Sequence, residues 1–365
     1  MKGVGRYTWQ IWDALRASQP LEARLVAVIF ETSVEEELLP GSSAVIRIPY
    51  ASELNLGMKV MPRLLREVGA DTFIRPADKI GRHYAARTLT VCHDLNHWIW
   101  RVQAKRGLRR RCIDAAWEAL RVRGLRCSDL VVCNSEFVRQ GVISEFGIDR
   151  ERTTIGYCGV DARFTSLAPR DAQSELLAPL NASPFVLAFA TGDPREGYDI
   201  LPELFRAAKQ GGYPGKLALA GTRDGAEKRD LAASFARCGV LADVEWLPFL
   251  GADQFGLLAA LYRHADFYLE TSRHEGFGMQ LVEAMACGTT CFSSGRGALA
   301  EVGGAYPLPL EIDRPSRAGQ AVAEAWSAGA AVRDNEPQIR HARSFDWQAT
   351  RKLVAEFAWG PANSR

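Results

Sequence analysis

Two glutamates, Glu275 and Glu283, are separated by seven residues in a segment that also contains the sequence Glu-Gly-Phe-Gly. The apolar run Phe267–Leu269 predicts a strand before this segment, and the residues after it predict a helix. Gly276 and Gly278 allow backbone N–H groups to approach a ligand closely, and the helix dipole adds partial positive charge at the same point. Carboxylates in such a place can accept hydrogen bonds from sugar hydroxyls. The pattern therefore predicts a carbohydrate site, whereas the spacing alone would equally suit one capping and one solvated glutamate.

A histidine and an aspartate, His93 and Asp94, follow the predicted strand Leu89–Cys92. Ligands bind at the carboxyl ends of strands in parallel sheets, so both side chains are candidate catalytic residues. His93 and His97 could also form a metal-binding pair, but the sequence offers no obvious third ligand, and we expect no metal. If His93 and Glu275 line a solvated cleft, replacing either residue should abolish activity with little loss of melting temperature.

Short apolar runs alternate with longer helical patterns along the chain, which is typical of parallel sheets covered by helices. The predicted strands are Val26–Phe30, Val45–Ile48, Thr72–Ile74, Leu89–Cys92, Leu130–Cys133, Phe185–Ala190, Lys216–Ala220, Val244–Trp246, Phe267–Leu269 and Thr290–Ser293. The expected fold class is α/β, with two doubly wound Rossmann-like domains that face each other across a cleft. The expected domains are 1–165 and 166–345, followed by an amphipathic helix and tail at 346–365.

The composition excludes several classes of protein. The chain has 365 residues, of which 47% are apolar and 24% charged, and this argues against disorder, a fibre or a disulfide-stapled miniprotein. It has no apolar run near the roughly 18 residues that cross a bilayer, and its N-terminus does not resemble a signal peptide. Its eight cysteines include no C-x-x-C pair. We therefore expect a cytoplasmic protein with reduced, mostly buried thiols.

Positive charge is concentrated between Arg101 and Arg126, where nine Lys or Arg residues face two acidic residues, although the whole chain carries only +2. Arg101, Lys105 and Arg109 have the spacing of one helix face, and Ile113, Trp117 and Leu120 are expected to form the inward face of the same helix. The cationic face is either simply solvated or docks on an anionic membrane surface. Nucleic-acid binding is disfavoured because the segment lacks interleaved aromatic residues and a recognised module.

Several segments together resemble one family, the retaining nucleotide-sugar glycosyltransferases of family four, which have two Rossmann-like domains (the GT-B fold). The similar segments are GVGRYT (3–8), VCHDL (91–95), VCNSEFVRQGVISEFGI (132–148), YCGVDARF (157–164), LAGT (219–222) and HEGFGMQLVEAMACG (274–288). The resemblance covers essentially the whole chain, from about Gly3 to Trp359. It implies that the first domain binds the acceptor, that the second binds the nucleotide sugar, and that the final helix crosses back to the first.

The resemblance also implies roles for individual residues. Glu275 would contact the donor sugar and Glu283 the donor ribose, while His93, beside Asp94, would lie near the transferred sugar. The rest of the donor site would comprise Gly5, Arg6, Arg195, Gly276, Phe277, Gly278 and Met279. The family chemistry needs no metal or other cofactor, because a helix dipole and basic side chains offset the charge of the diphosphate.

Two segments depart from the family pattern. Gly3-Val4-Gly5-Arg6 is similar to the glycine loop that normally follows the first strand, but only two residues precede it, so that strand is missing or the true start lies upstream. In FATGDPREGYDIL (189–201), Glu196 stands where the family usually has the Lys that holds the diphosphate. Either Glu196 points away or the donor is held differently, with Arg223 or Arg273 as substitutes. If Glu196 faces the diphosphate, Glu196→Lys should tighten donor binding about five- to thirty-fold.

The function expected from these patterns is transfer of a hexose from a nucleotide diphosphate sugar to a hydroxyl of a saccharide or lipid-linked acceptor. Similarity to mannosyltransferases suggests GDP-mannose as donor, a role in envelope or extracellular polysaccharide assembly, and a place on the inner face of the plasma membrane. Two alternatives stay open. One is a sugar-nucleotide epimerase or hydrolase on the same fold, and the other is a non-catalytic scaffold, which Glu196 and the missing strand would favour.

Overall fold

The computed structural model describes residues 3–30, 44–49, 51–84, 86–95, 108–166, 180, 183–222, 224–251, 254–331 and 335–360. The chain divides into two compact units. The first unit comprises Lys2–Cys158 and Trp347–Arg365, and the second comprises Gly159–Asp346. The end of the chain therefore returns to the first unit, as the resemblance implied.

The first unit contains a parallel sheet with strand order β3-β4-β5-β6 and a separate parallel pair, β1-β2. Its strands are β1 (Val26–Phe30), β2 (Ala44–Ile48), β3 (Thr72–Arg75), β4 (Arg87–Cys92), β5 (Leu130–Cys133) and β6 (Thr153–Ile155). Its helices are α1 (Gly3–Ala17), α2 (Glu53–Asn55), a π-helical turn (Leu56–Val60), α3 (Met61–Glu67), α4 (Leu108–Arg126), α5 (Glu136–Ser144) and a final helix, Gln348–Trp359. Strands β4 and β5 are buried over nearly their whole length, as expected for a parallel sheet covered on both faces.

The final helix packs against α1 within the first unit. Arg351 donates a hydrogen bond of 2.8 Å to the Gln10 side chain, and the indole of Trp359 donates one of 3.1 Å to Ser18. Just before this helix, the rings of Tyr7 and Trp347 meet edge to face at 5.2 Å. These contacts fix the last helix on the first one.

The second unit has one six-stranded parallel sheet with strand order β12-β11-β10-β7-β8-β9, the order of a Rossmann fold. Its strands are β7 (Phe185–Phe189), β8 (Lys216–Ala220), β9 (Val244–Trp246), β10 (Phe267–Glu270), β11 (Thr290–Ser293) and β12 (Leu308–Pro309). Its helices are α6 (Leu201–Gln210), α7 (Ala226–Arg237), α8 (Phe255–His264), α9 (Met279–Ala286), α10 (Leu299–Gly303), α11 (Pro315–Ser327) and α12 (Glu336–Arg343), so the final helix is α13. The order reverses between β7 and β10, which places a ligand site at the carboxyl ends of these two strands.

All ten predicted strands are present, with ends that differ by no more than a residue or two. Strands β6 and β12, which have only three and two residues, were not predicted from the sequence. Such short strands have too few residues to show a pattern, and they form because a neighbouring strand offers its edge.

The eight cysteines are all free thiols. Five are buried as expected, but Cys112 is exposed, and Cys127 and Cys238 are half-buried. None of the helices in the described part of the chain is long and apolar enough to cross a bilayer.

Candidate functional site

The loop after β10, residues 271–278, holds the Glu-Gly-Phe-Gly segment and ends at the start of α9; we call it the β10 loop. Gly278 precedes α9 with φ +93°, and a Cβ at this position would lie 2.5 Å from the Leu299 side chain. Only glycine fits both the backbone conformation and the space. The sequence prediction of a strand, a glycine turn and a helix is correct here. The four residues Gly276–Met279 all lie at this turn.

The two glutamates differ in exposure. Glu275 is half-buried and pairs through its backbone with Gly297, and its carbonyl accepts a hydrogen bond of 3.0 Å from the N–H of Ala298. Glu283 lies within α9 and is only 2% exposed, with a carboxylate oxygen 3.4 Å from the Tyr262 hydroxyl. Glu275 therefore lies on the β10 loop and Glu283 on the helix that follows it, and Glu275 is the more accessible of the two.

The loop after β7, residues 190–200, contains the departure at Glu196; we call it the β7 loop. The Glu196 carboxylate turns back onto its own loop, where it accepts hydrogen bonds from the Thr191 N–H, at 2.7 Å, and from the Thr191 hydroxyl. Burial raises the pKa of Glu196, and the neighbouring Asp193 and Glu270 add to the effect. Thr191 is a residue that the sequence analysis missed, because nothing in a lone threonine marks it as the partner of a carboxylate.

The cations proposed for the diphosphate are engaged with acidic residues. Arg195 donates from Nε to both carboxylate oxygens of Asp193, at 2.8 and 2.9 Å. Arg273 donates to the carboxylate of Asp199, at 2.7 and 2.8 Å. The third candidate, Arg223, lies outside the described residues.

In the first unit, His93 and Asp94 follow β4, as predicted. His93 is 8% exposed, and its Nε2 lies 2.6 Å from the carbonyl oxygen of Pro76. A carbonyl oxygen can only accept, so we assign the proton to Nε2 and leave Nδ1 as the acceptor. Burial lowers the pKa of His93, which favours the neutral ring. The expectation that His93 is solvated is wrong, because Tyr7 packs edge-on against it at 5.0 Å.

Asp78 is a candidate that the sequence analysis missed. It follows β3, the neighbour of β4 in the sheet, and burial together with the charge of Asp94 raises its pKa to about 7. A carboxyl group that titrates near neutral pH beside a candidate site is a possible proton acceptor. Its position after a strand end was the signal available in the sequence. The second histidine of the suggested metal pair, His97, lies outside the described residues.

The predicted glycine loop at Gly3–Arg6 is wrong. These residues form the first turn of α1, which begins at Gly3. Gly5 and Arg6 therefore lie on a helix, where the backbone N–H groups point along the helix axis, rather than on a loop that wraps a ligand. Their role in donor binding stays a prediction.

In the basic segment 101–126, the helix face that we expected to be buried is partly exposed. Residues 101–107 lie outside the described residues, and residues 108–126 form α4. The side chains of 108–111 also lie outside the description. Ile113 and Trp117, expected to face inward, are 40% and 39% exposed, whereas Glu118 is buried. Arg121 pairs with Glu53 at 3.2 Å and is thus held within the fold. The helix therefore presents apolar as well as basic residues at the surface.

Comparisons with known proteins point to glycosyltransferases. The model of "Glycosyltransferase Family 4" matches residues 1–164, and that of "Glycosyl transferases group 1" matches residues 170–306. A D-inositol 3-phosphate glycosyltransferase of Mycolicibacterium smegmatis is 29% identical over 234 residues, which cover 61% of this chain and 51% of that protein. The chain spans about half the length of the curated relatives it matches.

Two solved structures show the same fold. WaaG, a glycosyltransferase involved in lipopolysaccharide biosynthesis, superposes with a TM-score of 0.72 at 14% identity, covering 99% of this chain and 97% of that one. The Anabaena protein HepE in complex with UDP-glucose superposes with a TM-score of 0.71 at 18% identity, covering 98% and 95%.

Proposed function

We propose that this chain, which belongs to the glycosyltransferases of family four, transfers a hexose from a nucleoside diphosphate sugar to a hydroxyl acceptor with retention of configuration. The observation that supports this most directly is Glu275, half-buried on a glycine turn at the carboxyl end of β10 and at the start of α9. A carboxylate and the N-terminus of a helix together suit a ligand that carries both hydroxyls and phosphate.

In the proposed mechanism, the bond between the sugar C1 and the phosphate oxygen breaks as the acceptor oxygen bonds to C1 on the same face. The leaving phosphate takes the proton of the acceptor hydroxyl. Glu275 stabilises the positive charge that develops on the sugar ring. The Nε2–H of His93 is used by Pro76, which leaves Nδ1 of the neutral ring as an acceptor, and the family resemblance assigns this histidine to a hydroxyl of the transferred sugar. We propose that no metal or cofactor takes part, so EDTA should leave the rate unchanged.

The donor we propose is GDP-mannose, and the setting is the assembly of envelope or extracellular polysaccharide. Two alternatives come from the similar proteins. The HepE structure holds UDP-glucose, and the Mycolicibacterium relative is named a D-inositol 3-phosphate glycosyltransferase. We therefore include both compounds in the test.

The test is a thermal-shift panel of UDP, GDP, UDP-glucose and GDP-mannose, followed by transfer assays with any donor that binds and with D-inositol 3-phosphate among the acceptors. A nucleotide at a hundred times its dissociation constant should stabilise the protein by about 2.7 kcal/mol. Release of free sugar or a changed sugar nucleotide without any acceptor would indicate a hydrolase or an epimerase. If no nucleotide stabilises the protein, the scaffold alternative replaces the enzyme.

A second proposal concerns location: we propose that the protein associates peripherally with the cytoplasmic face of the plasma membrane through the basic segment 101–126, most of which is α4. The sequence of α4 has six arginines against two acidic residues, and Ile113 and Trp117 are exposed one helical turn apart. Tryptophan prefers the membrane–water interface, and each Lys or Arg near an anionic surface is worth about 1 kcal/mol.

Vesicles of phosphatidylcholine with and without phosphatidylglycerol test this location. Ile113→Ser with Trp117→Ser should weaken binding to the anionic vesicles, and so should charge reversal at Arg101, Lys105 and Arg109. The control is Phe249→Ser, which removes a similarly exposed apolar side chain from the second unit. Equal binding by all variants, or no dependence on salt or anionic lipid, would exclude the membrane proposal.

A further inference from the structure

The Glu196 side chain has a structural partner inside its own loop. Its two carboxylate oxygens take both polar hydrogens of Thr191, one from the N–H and one from the hydroxyl. A lysine at this position would bring an ammonium group, which has no acceptor, so the hydroxyl could turn to accept from it but the Thr191 N–H would lose this partner. Glu196 therefore does here what the lysine expected from the family could not do.

Three further hydrogen bonds join the β7 loop to the β10 loop. The Thr271 hydroxyl donates to the Glu196 carbonyl at 2.5 Å, and the Arg273 N–H donates to the Arg195 carbonyl at 2.7 Å. The Arg273 guanidinium donates to the Pro194 carbonyl at 3.0 Å. With the Arg273–Asp199 ion pair, Arg273 thus holds the β7 loop through its backbone and its side chain.

The two loops are in very close contact at one glycine. Gly197 has φ +66°, and a Cβ there would lie 2.2 Å from the carbonyl oxygen of Thr271. No other residue allows both the left-handed backbone and this approach. The contact lies next to Glu196 in the chain, so the hydrogen bonds of Glu196 shape the segment that touches the β10 loop.

The β10 loop is held on its other side as well. The Ser294 hydroxyl donates to the Ser272 carbonyl at 2.6 Å, and Gly297 and Ala298 bind the backbone of Glu275. Glu275 is only two residues beyond Arg273. Its loop is therefore fixed between the β7 loop and the segment after β11.

We propose that Glu196 is a positioning residue: it shapes the β7 loop so that this loop, through Thr271 and Arg273, holds the β10 loop and its Glu275 in place. Glu196 does not set the charge that meets the donor diphosphate. This inference rests on the proposed function for the role of Glu275, while the effect of Glu196 on the β10 loop can be measured without any substrate.

The test compares Glu196→Gln and Glu196→Lys with the wild-type protein. Because positioning affects the reacting geometry more than ground-state binding, we expect Glu196→Lys to lower kcat about tenfold or more and to change affinity for UDP and GDP by less than about threefold. Glu196→Gln keeps one acceptor oxygen, so its kcat should lie between those of the wild type and Glu196→Lys. Hydrogen exchange of the peptide spanning 271–278 should be faster in both variants.

Glu324→Lys provides a matched control, since it makes the same change of charge at an exposed position on α11 of the same unit. It should leave kcat, nucleotide affinity and exchange of the β10 loop unchanged. Tighter binding of UDP or GDP by Glu196→Lys, about fivefold or more, would overturn the proposal in favour of a charge role, and so would exchange of the β10 loop equal to that of wild type. If the wild type transfers no sugar, the proposed function fails, and the exchange measurement still decides the positioning role. If Glu196→Lys does not fold, the same comparison is made with Glu196→Gln.

Discussion

Replacing His93 by alanine should destabilise the first unit substantially. The substitution removes the hydrogen bond from Nε2 to the Pro76 carbonyl, 2.6 Å long, and leaves that carbonyl without this donor, which costs about 1–3 kcal/mol. It also removes the edge-to-face contact with Tyr7, worth about 0.5–1.5 kcal/mol. Together the two losses come to about 1.5–4.5 kcal/mol. A unit of this size loses about 2–4 °C in Tm per kcal/mol, so we expect a fall of about 3–18 °C.

Differential scanning calorimetry of His93→Ala and His93→Gln measures this effect. The glutamine amide can still donate toward Pro76, so His93→Gln should recover part of the lost stability, although not the ring contact. Sugar transfer should be lost in His93→Ala, which has no side-chain acceptor, and reduced in His93→Gln, which has an amide oxygen in place of the imidazole Nδ1. A Tm for His93→Ala within about 1 °C of wild type would refute the structural reasoning and restore the solvated interpretation.

The same residue predicts a dependence of stability on pH. Burial lowers the pKa of His93 below its ordinary value of 6.5, so the unfolded chain binds a proton more readily than the folded one. The contribution of the neutral His93 to the free energy of unfolding is therefore complete above pH 6.5 and is lost as the pH falls toward the lowered pKa. Wild type should lose Tm between pH 7 and pH 5 more steeply than His93→Gln, and equal slopes would contradict this.

Three further outcomes are expected. Glu275→Gln should lower kcat about a hundredfold or more while Tm changes by less than about 2 °C, because the side chain is only half-buried. Calorimetry and transfer assays on one preparation measure both, and a large fall in Tm with activity intact would make Glu275 a structural residue. Deleting residues 347–365 removes α13 with its buried Val354, and should unfold the first unit while the calorimetric transition of the second persists; a single unchanged transition would contradict the packing of α13. Tyr213→Phe removes the hydroxyl that donates to Asp266 at 3.0 Å and should cost about 1–3 kcal/mol in urea unfolding, and an unchanged midpoint would show that this bond contributes nothing.

The sequence alone determined which segments form strands and where along the chain the main candidate site residue, Glu275, lies. Runs such as Phe185–Phe189 and Phe267–Leu269 are apolar without interruption because both faces of a parallel sheet are buried, so their composition identifies them locally. The glycine turn before α9 was equally predictable, since Gly278 needs a positive φ that other residues avoid. These features depend on residues close together in the chain.

Only the tertiary structure decided which groups the polar side chains bind and which faces of the helices are covered. The pattern of α4 showed that it has an apolar stripe, but whether Trp117 is covered depends on what packs against it, and the structure leaves it exposed. Gly3–Arg6 has the composition of a loop, yet it forms the first turn of α1, against which α13 packs from the far end of the chain. The direction of the Glu196 side chain was open in the sequence because Thr191 and solvent compete for its carboxylate. Hydrogen bonding and burial settle that competition, and both are properties of the folded chain.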